Sequence, residues 1–216
     1  MATLRQIGYD IYQHIRANFT DDDDIDIRNI YFWIRNQRLL WLENKSNKPI
    51  NRKFYQPLGN HRIKPQSTLD GTPLVVPIHF TEKTIPIPAF KGKMPYMNVS
   101  PIDPRVSKYK VVLKDDAFAV GNGRFNKNEK FAFLNEDYRI GITGLENNAY
   151  VPLLKLIHIE IIAEDPLTVP GTTLDSTYPI DDALIPYMLE IITKSHIKQF
   201  IEGRVDSINN AKNDLN

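Results

Sequence analysis

No cysteine occurs among the 216 residues, which excludes disulfides, thiolate metal sites and cysteine nucleophiles together. No run of about 18 apolar residues is present, so a membrane-spanning helix is not expected. The amino-terminal stretch MATLRQIGYDIYQHI also lacks the charged, apolar, small-residue order of a signal peptide. A soluble chain made in the cytoplasm is therefore expected. Charge of one sign is not in excess either: 27 Lys and Arg against 26 Asp and Glu leave +1. A protein that grips a nucleic-acid backbone needs a concentrated basic face, which this balance does not supply. Signatures of chemistry are missing as well. His14, His61, His79, His158 and His196 lie in separate elements with no metal-ligand spacing, and there is no nucleophile elbow or Walker motif. Gly121 and Gly123 of GNGRF lack the third glycine and the following helix of a phosphate loop, so they read as a bulge or turn. No catalytic, cofactor-binding or metal-binding residue is assigned.

What is present is an ordinary globular composition, 42% hydrophobic and 25% charged, enough for one domain with a core and an inserted part. Leu4, Ile7, Ile11 and Ile15 predict a first helix over 3–18, with Thr3 and Gln6 as a capping box. Asp21, Asp22, Asp23 and Asp24 follow. Adjacent carboxylates diverge and lack the alternate spacing and glycine of a calcium loop, so they read as acidic groups before a helix amino terminus, not a cation site. Residues 26–45 then predict a second helix that holds both tryptophans. Ile27, Ile30, Tyr31, Ile34, Trp41 and Leu42 form one stripe, while Phe32 with Leu39 and Trp33 with Leu40 add flanking ridges. A helix apolar on more than one side is expected to serve its own core and a contact with another chain.

Ten of the fifteen prolines fall between Pro49 and Pro104, so this part is expected to form extended loops and edge strands. Alternating runs follow at 108–113, 117–125, 130–134 and 138–142, with turn-prone pieces at 114–116, 126–128 and 146–148, the layout of an antiparallel sheet. Residues 154–163 form the strongest strand, with Ile157, Ile159 and Ile161 on one face and His158 and Glu160 on the other. A last helix is expected from Asp181 or Asp182 to about Glu202, its start limited by Pro186. The tail after Gly203 is polar and amide-rich, as in a segment that orders only against a partner.

The expected fold is α+β. The N-terminal helical pair (1–48) and the C-terminal helix with its tail (171–216) pack as one bundle. A central antiparallel β-rich domain (49–170), sandwich-like or barrel-like, is inserted between them. Counted over three stretches charge is uneven: residues 1–48 are neutral, 49–150 carry +6 and 151–216 carry −5. This reads first as two solvated faces and second as contact between neighbouring copies. Aromatic residues between basic ones, in RKFYQ at 52–56 and KYK at 108–110, are candidate base-stacking groups, though no basic field supports them.

Taken in order, the helix segment IRNIYFWIRNQRLLWL, the polar NKSNKPI after it, the β-rich middle, the segment YPIDDALIPYMLEIITK and the amide-rich tail resemble the ring, or head-to-tail connector, proteins of crAss-like tailed bacteriophages. The resemblance spans most of the chain and rests on segment order and two helix segments. It implies a structural virion protein, not an enzyme. Such a protein assembles with itself as a ring, of twelve copies by that likeness, beneath the portal. It meets the portal and other tail ring proteins, and lets DNA pass without sequence-specific binding. No membrane partner or cofactor is implied. Candidate interface residues are Phe32, Trp33, Leu39, Leu40, Met188, Ile192 and Phe200, with Ile30, Ile34 and Trp41 holding the subunit's own core. The alternative is a β-sandwich module that binds carbohydrate through Tyr96, Tyr109 and Tyr150 on one sheet face. Paired carboxylates drawn from Asp115, Asp116, Glu136 and Asp137 would be needed for a hydrolase.

Overall fold

Leu4, Ile7, Ile11 and Ile15 recur at the spacing of one helix face, and the computed structural model forms that helix as α1, Leu4–Asn18, with all four buried. The structure describes residues 2–18, 25–44, 50–69, 71–102, 108–120, 129–143 and 155–197. The chain divides into two compact units: Met1–Trp41 with Thr173–Asn216, and Leu42–Thr172.

In the first unit the expected capping box closes α1. Gln6 N–H donates to Thr3 Oγ1 and Thr3 N–H donates to Gln6 Oε1, both at 3.1 Å, which satisfies two amides that the helix leaves free. Helix α2, Ile27–Asn44, starts at Asp26, whose Oδ1 accepts from Arg28 N–H at 2.9 Å. A Cβ at Gly8 would overlap the Tyr31 ring, so α1 and α2 meet where one side chain is absent. The segment from Thr173 runs back along the start of α1: Arg5 N–H donates to the Leu174 carbonyl and Tyr178 N–H to the Ala2 carbonyl, each at 3.1 Å.

The second unit holds a seven-stranded sheet and a two-stranded one. Its strands are β1 Gln56–Leu69, β2 Thr72–Thr81, β3 Phe90–Lys91, β4 Met94–Pro95, β5 Met97–Pro101, β6 Lys110–Val111, β7 Phe131–Leu134, β8 Ile140–Thr143 and β9 Leu156–Ile161. The large sheet runs β5-β9-β1-β2-β8-β7-β6. It curls until its ends approach, where Tyr109 N–H, just before β6, donates to the Val99 carbonyl of β5 at 3.0 Å. The result is a nearly closed, barrel-like wall. Ile157, Ile159 and Ile161 of β9 fill the interior, as their alternation predicts, with Met97, Val99, Ile63, Ile140 and Ile142. Each such side chain contributes about 2 kcal/mol by leaving water.

Two expectations are corrected here. The sheet is mixed, not antiparallel, because β6 pairs with β7 in parallel. Parallel neighbours need a crossover, and residues 114–120, expected as a turn and the start of a strand, supply it as helix α3, Lys114–Val120. Asp115 and Asp116 sit in its first turn, where the helix dipole favours them. Ala117 is buried against Ile78, Phe80 and Phe133, and the last two rings meet edge to face at 5.8 Å. Gly141 lies so close to the Phe133 ring that a Cβ would overlap it.

The second correction concerns proline. Strands β1 and β2 stand in the middle of the sheet order although they contain Pro57, Pro65, Pro73 and Pro77. The reason is a change of partner within β1: Gln56–Arg62 pairs with β9, and Ile63–Leu69 pairs with β2. Pro57 and Pro65 therefore each have one side without a neighbouring strand, and a missing N–H on that side breaks no ladder. Gly59, at φ +82°, takes the bulge beside Pro57. The readings made for 121–128, 146–148 and the tail fall outside the described residues.

Tyr109 is 4% exposed, and its hydroxyl has no hydrogen-bond partner among the described residues. Burial pushes its pKa up to about 12 from 10.0. A raised pKa stabilises the fold below the unfolded value and that contribution is lost as pH climbs from 10 towards 12. Tyr109→Phe is expected to keep or raise stability at neutral pH by about 1 kcal/mol. It should also flatten the alkaline loss of stability; urea unfolding at pH 7 and pH 10.5 reads both.

Candidate functional site

Helix α2 has two faces of different character. Ile30, Ile34, Arg38 and Leu42 recur every four residues and are all buried, at 0 to 1% exposure. On the far side Phe32 is 51% exposed and Leu40 48%, two turns apart, with half-buried Asn36 between them. The Arg35 guanidinium lies 5.3 Å from the Phe32 ring centroid, covering one face of the ring and leaving the rest open. Trp33 and Leu39 are half-buried on the flanks, and Trp41, also half-buried, lies on the side of the core stripe.

The candidate interface set thus splits. Phe32 and Leu40 reach the surface, and Trp33 and Leu39 border them. Helix α4, Leu184–Ile191, continues as a π-helix over Ile192–Ile197, and Met188 (1% exposed) and Ile192 (0%) lie on its buried side. They line up with Leu184 at successive turns and present no surface to a partner. Phe200 lies outside the described residues. Tyr9 of α1 and Tyr187 of α4 are 57% and 53% exposed and escape a sequence reading, since a tyrosine at helical spacing serves a core equally well.

Of the aromatics expected between basic residues, Tyr55 is half-buried and the other two are inside. Phe54 is fully buried and Tyr109 nearly so, so neither offers a ring for stacking on a base. The carbohydrate platform fares likewise: Tyr109 is inside, Tyr96 is half-buried with its hydroxyl donating to the Leu42 carbonyl at 3.3 Å, and Tyr150 lies outside the described residues. Of the four carboxylates considered for hydrolysis, Glu136 and Asp137 are held by local partners, while Asp115 and Asp116 sit in the first turn of α3. Glu136 binds Lys114 at 3.1 Å, and Asp137 accepts from Asn135 Nδ2 at 2.9 Å and from the Arg139 side chain and N–H. Although burial alone would raise the Asp137 pKa, those bonds bring it below its ordinary value. Among the described residues no group of three or more His, Asp or Glu could hold a metal ion. Asp21–Asp24 lie outside them.

Elsewhere a groove of about 570 Å³ opens where β1 changes partner, lined by Asn60, His61 and Arg62 of β1, by Lys83 and Thr84 after β2, and by Leu156 of β9. Burial holds the His61 pKa below its ordinary value, with Lys83 adding to the effect and a hydrogen bond to the Leu58 backbone opposing it.

An exposed apolar helix face and side chains occupied by structural bonds suit an assembling protein, and a comparison with family models decides which kind. The model for phage tail ring protein 2, a crAss-like phage family, matches residues 6–215. The chain belongs to that family. A search among curated proteins finds no match. The ring protein is therefore a structural component of a phage tail, and its place is in the virion. No helix among its described residues is long and apolar enough to cross a membrane.

The residue that sets the two faces of α2 apart was missed in sequence. Arg38 is fully buried, and its Nε donates to the Pro179 carbonyl at 3.0 Å, tying α2 to the segment that leads into α4. The available signal was spacing, since Arg38 stands four residues from both Ile34 and Leu42. Arg38→Ala is expected to lower stability by about 3 kcal/mol, through a cavity and an unmade hydrogen bond, and Arg38→Met by about half as much. Chemical denaturation of the two variants gives the order directly.

Proposed function

We propose that the ring protein forms a closed ring, of twelve copies, in the head-to-tail connector below the portal, where it extends the DNA channel and docks tail components. The observation that carries this reading is the exposed face of α2, Phe32 and Leu40 with Trp33 and Leu39 beside them, in a chain of a tail ring family. In a ring each copy must offer two different surfaces that meet head to tail. A face with two large apolar side chains open to water, bordered by a guanidinium and the half-buried Trp33, has the composition of an interface centre.

The same reading treats 49–170 as an insertion between helices of one bundle, supported by the Arg38 bond to Pro179, which joins residues 141 positions apart. DNA passage without sequence-specific binding fits the near-neutral charge of +1 and the inward-facing Phe54 and Tyr109, because strong phosphate contacts slow transit.

Phe32→Glu with Leu40→Glu is expected to abolish rings while leaving folding intact, because both side chains lie outside the core. Negative-stain imaging of the purified protein, alone and with portal protein, reads assembly, and circular dichroism reads folding. Native rings from the double variant would remove α2 from the interface. A wild-type protein that stays monomeric at high concentration, and is not recruited by portal or other tail proteins, would remove the ring reading.

A further inference from the structure

We infer that the groove at the β1 partner switch receives the acidic segment Asp21–Asp24 of a neighbouring copy. The inference rests on the ring reading, since a docked neighbour presupposes the ring, and it names a contact which that reading leaves open.

The groove exists because β1 cannot keep two full-length neighbours. At Arg62 and Ile63 it leaves β9 and joins β2, and the two partner strands diverge on either side of it. Its volume of about 570 Å³ is that of a ligand site, where about 300–1,000 Å³ is usual. Its charge is one-sided. Glu82, the carboxylate on its lining, is bound by Lys64 at 3.1 Å, and among the described residues no carboxylate pairs with Arg62 or Lys83. Asn60 and Thr84 add neutral donors between those cations. A guanidinium fork, an ammonium and short polar side chains match carboxylates. Among the described residues no Phe, Tyr or Trp lines the groove, and the one ring on it is the His61 imidazole, so a stacking platform for a nucleic-acid strand is not built there.

The occupant follows from charge complementarity. Asp21–Asp24 is the one run of four acidic residues in the sequence, and its like charges gain most from a cationic partner. Residues 49–150, which contribute most of the groove, carry +6. Contact between the acidic run of one copy and the groove of the next is heterologous, as closure of a ring demands.

The absence of cysteine gives a clean test by disulfide cross-linking. Thr20→Cys places a thiol beside the acidic run, and Thr84→Cys places one on the groove wall, without altering any charge. Equimolar single variants, assembled and mildly oxidised, should give a covalent dimer of one Thr20→Cys and one Thr84→Cys chain. Adding Arg62→Glu and Lys83→Glu to the Thr84→Cys chain should cut that yield by about tenfold. Lys91→Glu with Lys93→Glu, the same charge change elsewhere, should leave it intact. Light scattering on the same samples reports assembly. Rings without the cross-link, or a cross-link only within one chain carrying both cysteines, overturn the inference and leave the ring reading standing. A yield indifferent to groove charge also overturns it. Samples that stay monomeric without a cross-link overturn both.

Discussion

The change of partner along β1 is the constraint on which the sheet unit depends. One continuous strand, Gln56–Leu69, holds β9 with its first half and β2 with its second, and so joins the β5-β9 side of the wall to the β2-β8-β7-β6 side. Without that switch there would be two small sheets with four open edges, each a template for unwanted pairing. With it the wall curls far enough for β5 and β6 to approach, and the isoleucines of β9 acquire an interior to fill. The switch also makes prolines tolerable in a central strand and opens the groove lined by Arg62 and Lys83.

How much of this could be read in the sequence depended on whether the signal was local. Helix α1 was legible because its spacing and its capping box are set by neighbouring residues, and β9 because strict alternation has one reading. The positions of β1 and β2 were not legible, because a proline is judged by whether its own side of the strand is paired, and that is a property of the whole sheet. Their hairpin did leave a trace in Gly71, whose φ of +78° suits glycine beside the paired residues Leu69 and Thr72. Helix α3 was missed for a similar reason: only the parallel pairing of β6 and β7 demands a crossover there.

Of the side chains expected at a contact, the structure leaves Phe32 and Leu40 exposed and buries Met188 and Ile192. A helix rich in apolar side chains on several sides announces two uses, yet which side is buried turns on one residue. Arg38 reads as polar and outward, and instead lies on the core stripe with Ile34 and Leu42. The opposite ridge, Phe32 and Leu40, is left facing water. Met188 and Ile192 have the same composition as interface residues and are buried, because composition does not distinguish a core from a contact.

The seam between β5 and β6 has a mechanical consequence. At the seam β6 has two residues, and closure relies on the Tyr109 amide bond to Val99 and on the buried Tyr109 ring. A barrel closed in this way behaves as a clasp. Opening it breaks few bonds and leaves the β1 ladders intact, so breathing motions concentrate at one line on the wall. Small movements along the clasp can change the girth of the wall while the β1 ladders keep their register.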